Sequence, residues 1–154
     1  ILRFFPNAKF ILALRHPYDC VLSCFMQNFM LNHAMANFLN LDDASKLYDL
    51  TMSLWKKYIK VFKVDYHIVR YEDVISNFEV TIKALLNFLN VQWSENVKEF
   101  YKTAEKRGII NTPSYNQVNQ PIYSDSKYRW KNYEKEFVNS KNSLDKWVKE
   151  FNYK

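Results

Sequence analysis

The sequence predicts an α/β fold with parallel strands and predominantly helical content, and three observations carry that reading. Lys9 to Leu14, KFILAL, is short, apolar on both faces and β-branched at its centre, as expected of a buried parallel strand. In YHIVRYEDV, Tyr66 to Val69 alternate enough to read as a second strand. Each strand is followed by an expected helix, the first after a two-residue turn and marked by apolar positions at helical spacing, the second marked by a capping signal.

After the first strand, Pro17 restricts His16 to extended geometry and is well placed as a first helical residue. Val21, Leu22, Phe25, Met26 and Phe29 then follow with helical spacing. A second helix is expected from Asp42 to about Lys63, with Leu47, Leu50, Leu54, Tyr58 and Phe62 as its apolar stripe and Lys46, Lys56, Lys57 and Lys60 facing water. Past the second strand, Ser76 and Glu79 read as a capping box flanked by Ile75 and Val80 as a hydrophobic staple, opening a helix to about Leu89. Ser94 is placed to cap a further helix through roughly Lys106, ended by Gly108. Residues 109–126, IINTPSYNQVNQPIYSDS, are polar, aperiodic and punctuated by Pro113 and Pro121. A loop of that length in a compact domain tends to be functional, and it is expected to act as a lid over a ligand. Two short helical segments, about Lys127 to Phe137 and Ser143 to Phe151, close the chain.

At 154 residues with 48% apolar content, the chain fits one domain with a core of its own. A net charge of +6 favours anionic partners, leaving phosphates, nucleic acid and acidic peptides open. Gly108 is the single glycine, so no Gly-rich phosphate loop can be written from these residues. Cys20 and Cys24 lie four apart on an expected helix, which suits two small buried side chains better than a disulfide. No signal peptide, membrane-length apolar run or N-x-S/T acceptor occurs, and the expectation is a cytoplasmic protein. The opening ILRFFPNAKF lacks a methionine and falls within an apolar pattern, so the chain is expected to begin inside a larger protein.

An open parallel sheet binds ligands outside the carboxyl ends of its strands, where the next helix offers free N–H groups and a positive dipole end. Arg15 sits there, and its guanidinium suits a phosphate held by two parallel hydrogen bonds. An ordinary surface arginine at a strand end satisfies the same spacing. Ser23, about two turns into the helix, has only its hydroxyl to offer a ligand, and His16 points the other way as a packing or hydrogen-bonding residue. Glu72 and Asp73 read as acidic residues leading into a helix, and Trp130 as core. Interleaved aromatics and lysines in 42–63 and 127–151 leave an alternative, a non-catalytic basic helical module binding RNA or another phosphate-bearing polymer.

Three segments taken together are specific: ALRHPYDCVLSCF at 13–25, VRYEDV at 69–74 and NTPSYNQVNQPIYSDSKYRW at 111–130. In this order they resemble the sulfotransferase family, closest to the bacterial members that carry tetratricopeptide repeats ahead of the catalytic domain. The resemblance runs from about Phe5 to about Phe137. It implies that residues 1–154 are the C-terminal part of a P-loop-like sulfotransferase domain whose 5′-phosphosulfate loop and catalytic base lie before Ile1. The implied reaction transfers a sulfuryl group from 3′-phosphoadenosine 5′-phosphosulfate to a hydroxyl or amine acceptor, without a metal. By the same resemblance Arg15 and Ser23 bind the 3′-phosphate, Tyr71 contacts the donor nucleotide, Ser114 lies near the transferring group and Arg129 contacts the donor's phosphate. Expected partners are the donor, an acceptor that is a protein, carbohydrate or small molecule, and the N-terminal remainder of the protein. The chain departs from the subgroup's usual Thr-Arg-Ala-x-Gly-Arg-Trp at SDSKYRW, residues 124–130. Asp125 stands for the arginine and Tyr128 for the glycine, so the contact with an anionic donor is expected either to weaken or to shift to Lys127.

Overall fold

The computed structural model describes residues 1–102, 121–122 and 125–153. Two strands, β1 (Phe10–Leu14) and β2 (Tyr66–Arg70), pair in parallel with Leu14 opposite Arg70, so both chains leave the sheet at the same end. The crossover between them contains α1 (Pro17–Met26), a 3₁₀ turn (Met35–Leu39) and α2 (Leu41–Phe62). After β2 come α3 (Tyr71–Ser76), α4 (Phe78–Leu89) and a second 3₁₀ turn (Glu95–Glu99). A third 3₁₀ stretch (Arg129–Phe137), bent at Tyr133, and α5 (Lys141–Glu150) complete the described elements.

Helices cover the sheet on both faces. Tyr66 meets Trp55 of α2 edge to face at 5.4 Å, while His67, pointing oppositely, stacks on Phe88 of α4 at 5.4 Å. That is the parallel α/β arrangement expected from alternating strands and helices. The main core, however, is helical: Tyr18, Val21 and Leu22 of α1 meet Ala44 and Tyr48 of α2, Leu144 and Trp147 of α5, and Phe137. Strand β1 is buried only at Leu14; Ile11 remains 47% exposed. The expected burial of Lys9–Leu14 on both faces is not met among the described residues: Phe10 and Leu12 are half-buried, and Lys9, Ile11 and Ala13 are exposed.

Helix α2 also turns a different face inward. Of the expected stripe Leu47 is half-buried and Leu50, Leu54, Tyr58 and Phe62 are exposed, whereas Ala44, Ser45 and Tyr48 are buried. The small side chains at Ala44 and Ser45 allow α1 and α5 to approach closely, and Met52 and Trp55 continue this face at helical spacing. Asn40 caps α2, its Oδ1 accepting from the N–H of Asp43 at 2.8 Å.

The capping box at Ser76 is not formed. Tyr71 to Ser76 are already helical, and Ser76 Oγ donates to the carbonyl of Glu72 at 2.8 Å from the end of α3. Helix α4 restarts after Asn77, whose backbone (φ −144°, ψ 57°) breaks the run. Glu79 pairs instead with Lys83 at 2.6 Å and Lys98 at 3.0 Å, and Val80 is 72% exposed, so no staple exists. Ser94 does cap, but the element it opens is a 3₁₀ turn, and the expected continuation to Lys106 and Gly108 lies outside the described residues. Among the described residues no helix is long and apolar enough to cross a membrane.

Candidate functional site

At the carboxyl ends of the two strands lies a cavity of about 330 Å³. It brings together Arg15, Ser23, Tyr71 and Arg129, four of the five residues singled out in the sequence. The fifth, Ser114, lies outside the described residues, as do most of the positions in the expected lid. Arg15 follows β1 directly and Tyr71 follows β2 directly, so the parallel register places them side by side, with the Arg15 guanidinium 5.0 Å from the centre of the Tyr71 ring. Ser23 comes from the second turn of α1 and Gln27 from its C-terminal end, both on the cavity side. Arg129 comes from the start of the third 3₁₀ stretch.

The cavity has two characters. Arg15, Ser23, Gln27 and Arg129, with the Asp19 carboxylate, supply its polar lining, and Leu22, Met26, Val74, Ile75, Phe100 and Ile122 its apolar lining. An anion held beside a flat apolar group fits that division. Phe100 and Ile122 have no distinguishing signal in the sequence, since neither belongs to a periodic pattern that points at a ligand.

Asp19 is absent from the sequence-based set, although an acidic residue in the first turn of a helix that starts at Pro17 is a visible feature. It is 1% exposed, lines the cavity, and its Oδ1 accepts from the N–H of Trp130 at 2.8 Å. Burial raises its carboxyl above the ordinary value, opposed by the Trp130 N–H and the Arg15 guanidinium. Arg15 is tied to the same segment, donating from Nη2 to the carbonyl of Ser126 at 2.7 Å.

Behind the cavity the two strand ends are joined by Glu72. Its Oε1 accepts from the N–H of His16 at 2.9 Å and its Oε2 from the Tyr153 hydroxyl at 2.8 Å. Glu72 is therefore a buried clamp and not merely a helix-leading acid; a carboxylate 5% exposed at a helix start is invisible to charge patterning. His16 is a packing residue as expected, stacked on Trp130 at 5.2 Å and meeting Tyr153 edge-on at 5.0 Å. Desolvation lowers its pKa to about 4, against the attraction of Glu72. Trp130 packs inward, also stacking on Tyr18 at 4.6 Å.

Tyr128, where the resemblance places a glycine, has φ 54° and ψ 28°. Glycine takes this left-handed region freely; an aromatic residue held there costs roughly 1–2 kcal/mol. Lys127 does not line the cavity but donates to Ser76 Oγ at 2.9 Å. No group of three or more His, Cys, Asp or Glu among the described residues is arranged to hold a metal ion. Cys20 and Cys24 are free thiols.

A sequence profile described as "Sulfotransferase family" matches residues 1–95. The chain belongs to the sulfotransferase family. It is also 31% identical over 136 residues to an uncharacterized protein of Aquifex aeolicus (strain VF5), covering 88% of this chain. This sulfotransferase chain spans 18% of that relative's length. Membership in the family does not favour the RNA-binding alternative.

Proposed function

We propose that this chain supplies the nucleotide-gripping part of a sulfotransferase that moves a sulfuryl group from 3′-phosphoadenosine 5′-phosphosulfate to a hydroxyl or amine acceptor. The observation that carries the proposal is the cavity of about 330 Å³ that gathers Arg15, Ser23, Tyr71 and Arg129 at the carboxyl ends of two parallel strands. In this reading Arg15 and Ser23 hold the 3′-phosphate, Tyr71 contacts the nucleotide, Arg129 reaches a donor phosphate, and the apolar lining residues receive the base. Ser114 is assigned to the neighbourhood of the transferring group.

The reaction is an in-line displacement. The acceptor oxygen or nitrogen gives up its proton to a base, forms a bond to sulfur, and breaks the bond from sulfur to the phosphate oxygen, releasing adenosine 3′,5′-bisphosphate. Cations and N–H groups positioned around the transferring group stabilise its charge, as in phosphoryl transfer. Residues 1–154 are assigned as the C-terminal part of the catalytic domain, with the 5′-phosphosulfate loop and the base in an N-terminal remainder that also carries tetratricopeptide repeats. Two free thiols suit a reducing compartment, and we assign the protein to the cytoplasm.

The test compares binding of adenosine 3′,5′-bisphosphate and adenosine 5′-phosphate to the full-length protein by calorimetry. The 3′-phosphate should tighten binding at least about tenfold, the worth of one charged hydrogen bond. Equal affinity for the two nucleotides refutes the assignment of Arg15 and Ser23.

A further inference from the structure

We propose that Asp19 is a positioning residue: its carboxylate holds the left-handed turn at Tyr128 and so aims Arg129 into the cavity. The inference rests on the reading of that cavity as the donor site. Three consecutive residues carry it. Tyr128 has φ 54°, Arg129 lines the cavity, and the N–H of Trp130 donates to Asp19 Oδ1 at 2.8 Å.

Just past a helix end the left-handed region is commonly occupied, as at Lys63 and Asn90, but Tyr128 stands at the start of an element, where a bulky residue needs its surroundings to hold it there. The ring of Tyr128 meets His16 edge-on at 5.6 Å, which restrains the side chain but not the backbone. Asp19 restrains the backbone itself, two residues past the strained position. Its own place is fixed, because it is 1% exposed in the first turn of α1, two residues after the Pro17 that starts the helix. Arg15, from the same junction, holds the carbonyl of Ser126 at 2.7 Å. The segment 126–130 is therefore tied at both ends to the start of α1, and Arg129 projects from between the ties.

Asp19 is not itself a partner for the ligand that the cavity suits. Its Oδ2 is buried with no hydrogen-bond partner among the described residues, and a second anion beside it meets repulsion. A carboxylate in a cationic phosphate site weakens binding unless it contributes through something else. The backbone bond to Trp130 provides that route.

The test is a set of variants of the full-length protein, titrated with adenosine 3′,5′-bisphosphate. Asp19→Ala should weaken binding about tenfold, while Asp19→Asn, whose amide oxygen still accepts from Trp130, stays close to wild type. In an Arg129→Ala background, Asp19→Ala should cost nothing further, because the two act as one unit. Tyr128→Gly should restore most of the affinity lost in Asp19→Ala, since glycine holds the turn without help. Additive losses in Asp19→Ala/Arg129→Ala, or no rescue by Tyr128→Gly, overturn the positioning role. Where Asp19→Ala does not fold, recovery of folding in Asp19→Ala/Tyr128→Gly is the expected result, and a double variant that stays unfolded counts against the clamp. Wild-type protein that ignores the bisphosphate overturns the donor-site reading instead, and thermal melting of the same double variant then decides whether Asp19 holds the turn.

Discussion

Two arginines stand at the carboxyl ends of the paired strands, and they have opposite fates. Arg15 follows β1, lies over the Tyr71 ring and faces the cavity; Arg70 ends β2 and lies over the Tyr153 ring, 4.9 Å from its centre. Both lie where parallel strands exit into helices, but the register offsets them by one residue: Arg70 pairs with Leu14 inside the ladder while Arg15 lies one residue past it, so strand alternation sends the two side chains to opposite faces. The packing on those two faces then differs as well. The C-terminal residues after α5 fold back so that Tyr153 covers Arg70, while the first turns of α1 and α3 leave Arg15 beside open space. A strand end is thus an address for a ligand-binding cation here, and the register and the covering element together decide whether it is used.

The largest effect should come from breaking what holds the two exits together. Glu72 accepts two hydrogen bonds in a buried setting, from His16 N–H and the Tyr153 hydroxyl. Glu72→Ala removes both and strands the His16 N–H, a loss of about 3 kcal/mol in unfolding free energy. Urea denaturation measures it, and a loss below about 1 kcal/mol would mean that the junction is held by the aromatic packing around His16 instead.

The arginines themselves come next. Arg15→Ala in the full-length protein should weaken adenosine 3′,5′-bisphosphate by one to two decades, the equivalent of ~1.5–3 kcal/mol for a charged hydrogen bond. Arg70→Ala should leave that affinity unchanged and cost stability of only about 1 kcal/mol, the order of a cation–π contact. Calorimetry on both variants sharpens the comparison. If Arg70→Ala weakens the ligand as much as Arg15→Ala does, the distinction drawn from Tyr153 is wrong.

Legibility in the sequence follows the same division between local address and distant cover. The strands, their parallel pairing and the start of α1 at Pro17 depend on local pattern and proline geometry, and they emerge within a residue or so. Arg15 is placed by the address of a strand end, and its companions by resemblance. The features that stay hidden depend on contacts distant in sequence: the inward face of α2, set by Ala44 and Ser45 against two other helices, and Glu72, set by residues 56 and 81 positions away. Asp19 is hidden for the same reason, since its partner lies 111 residues on. The false capping box teaches a complementary lesson. Ser76 and Glu79 have the correct spacing, but α3 has already begun at Tyr71, and a cap signal says nothing about a helix that precedes it.

The smallest effect at neutral pH concerns His16, and it separates packing from charge at the junction. Both ring nitrogens are buried without a hydrogen-bond partner among the described residues, and the ring stacks on Trp130 at 5.2 Å. Desolvation lowers the pKa from 6.5 to about 4, Glu72 opposing and Lys131 and Arg15 reinforcing. The unfolded chain therefore binds a proton that the folded chain does not between those two values. Stability contributed by His16 is full above pH 6.5, falls as pH drops toward about 4, and levels off below. Its slope cannot exceed about 1.4 kcal/mol per pH unit for one proton. Asp19 works in the other direction, because its raised carboxyl favours the folded state at low pH and loses that contribution as pH rises through its folded value. His16→Phe keeps a flat ring in the stack and loses no hydrogen bond, so at pH 7 its stability should lie within about 1 kcal/mol of wild type. Below pH 6.5 the variant should lose the His16 slope and gain on the parent as pH falls. Urea denaturation at pH 7, 6, 5 and 4.5 reads both curves, and parallel profiles for the two proteins would show that His16 is not the group that titrates.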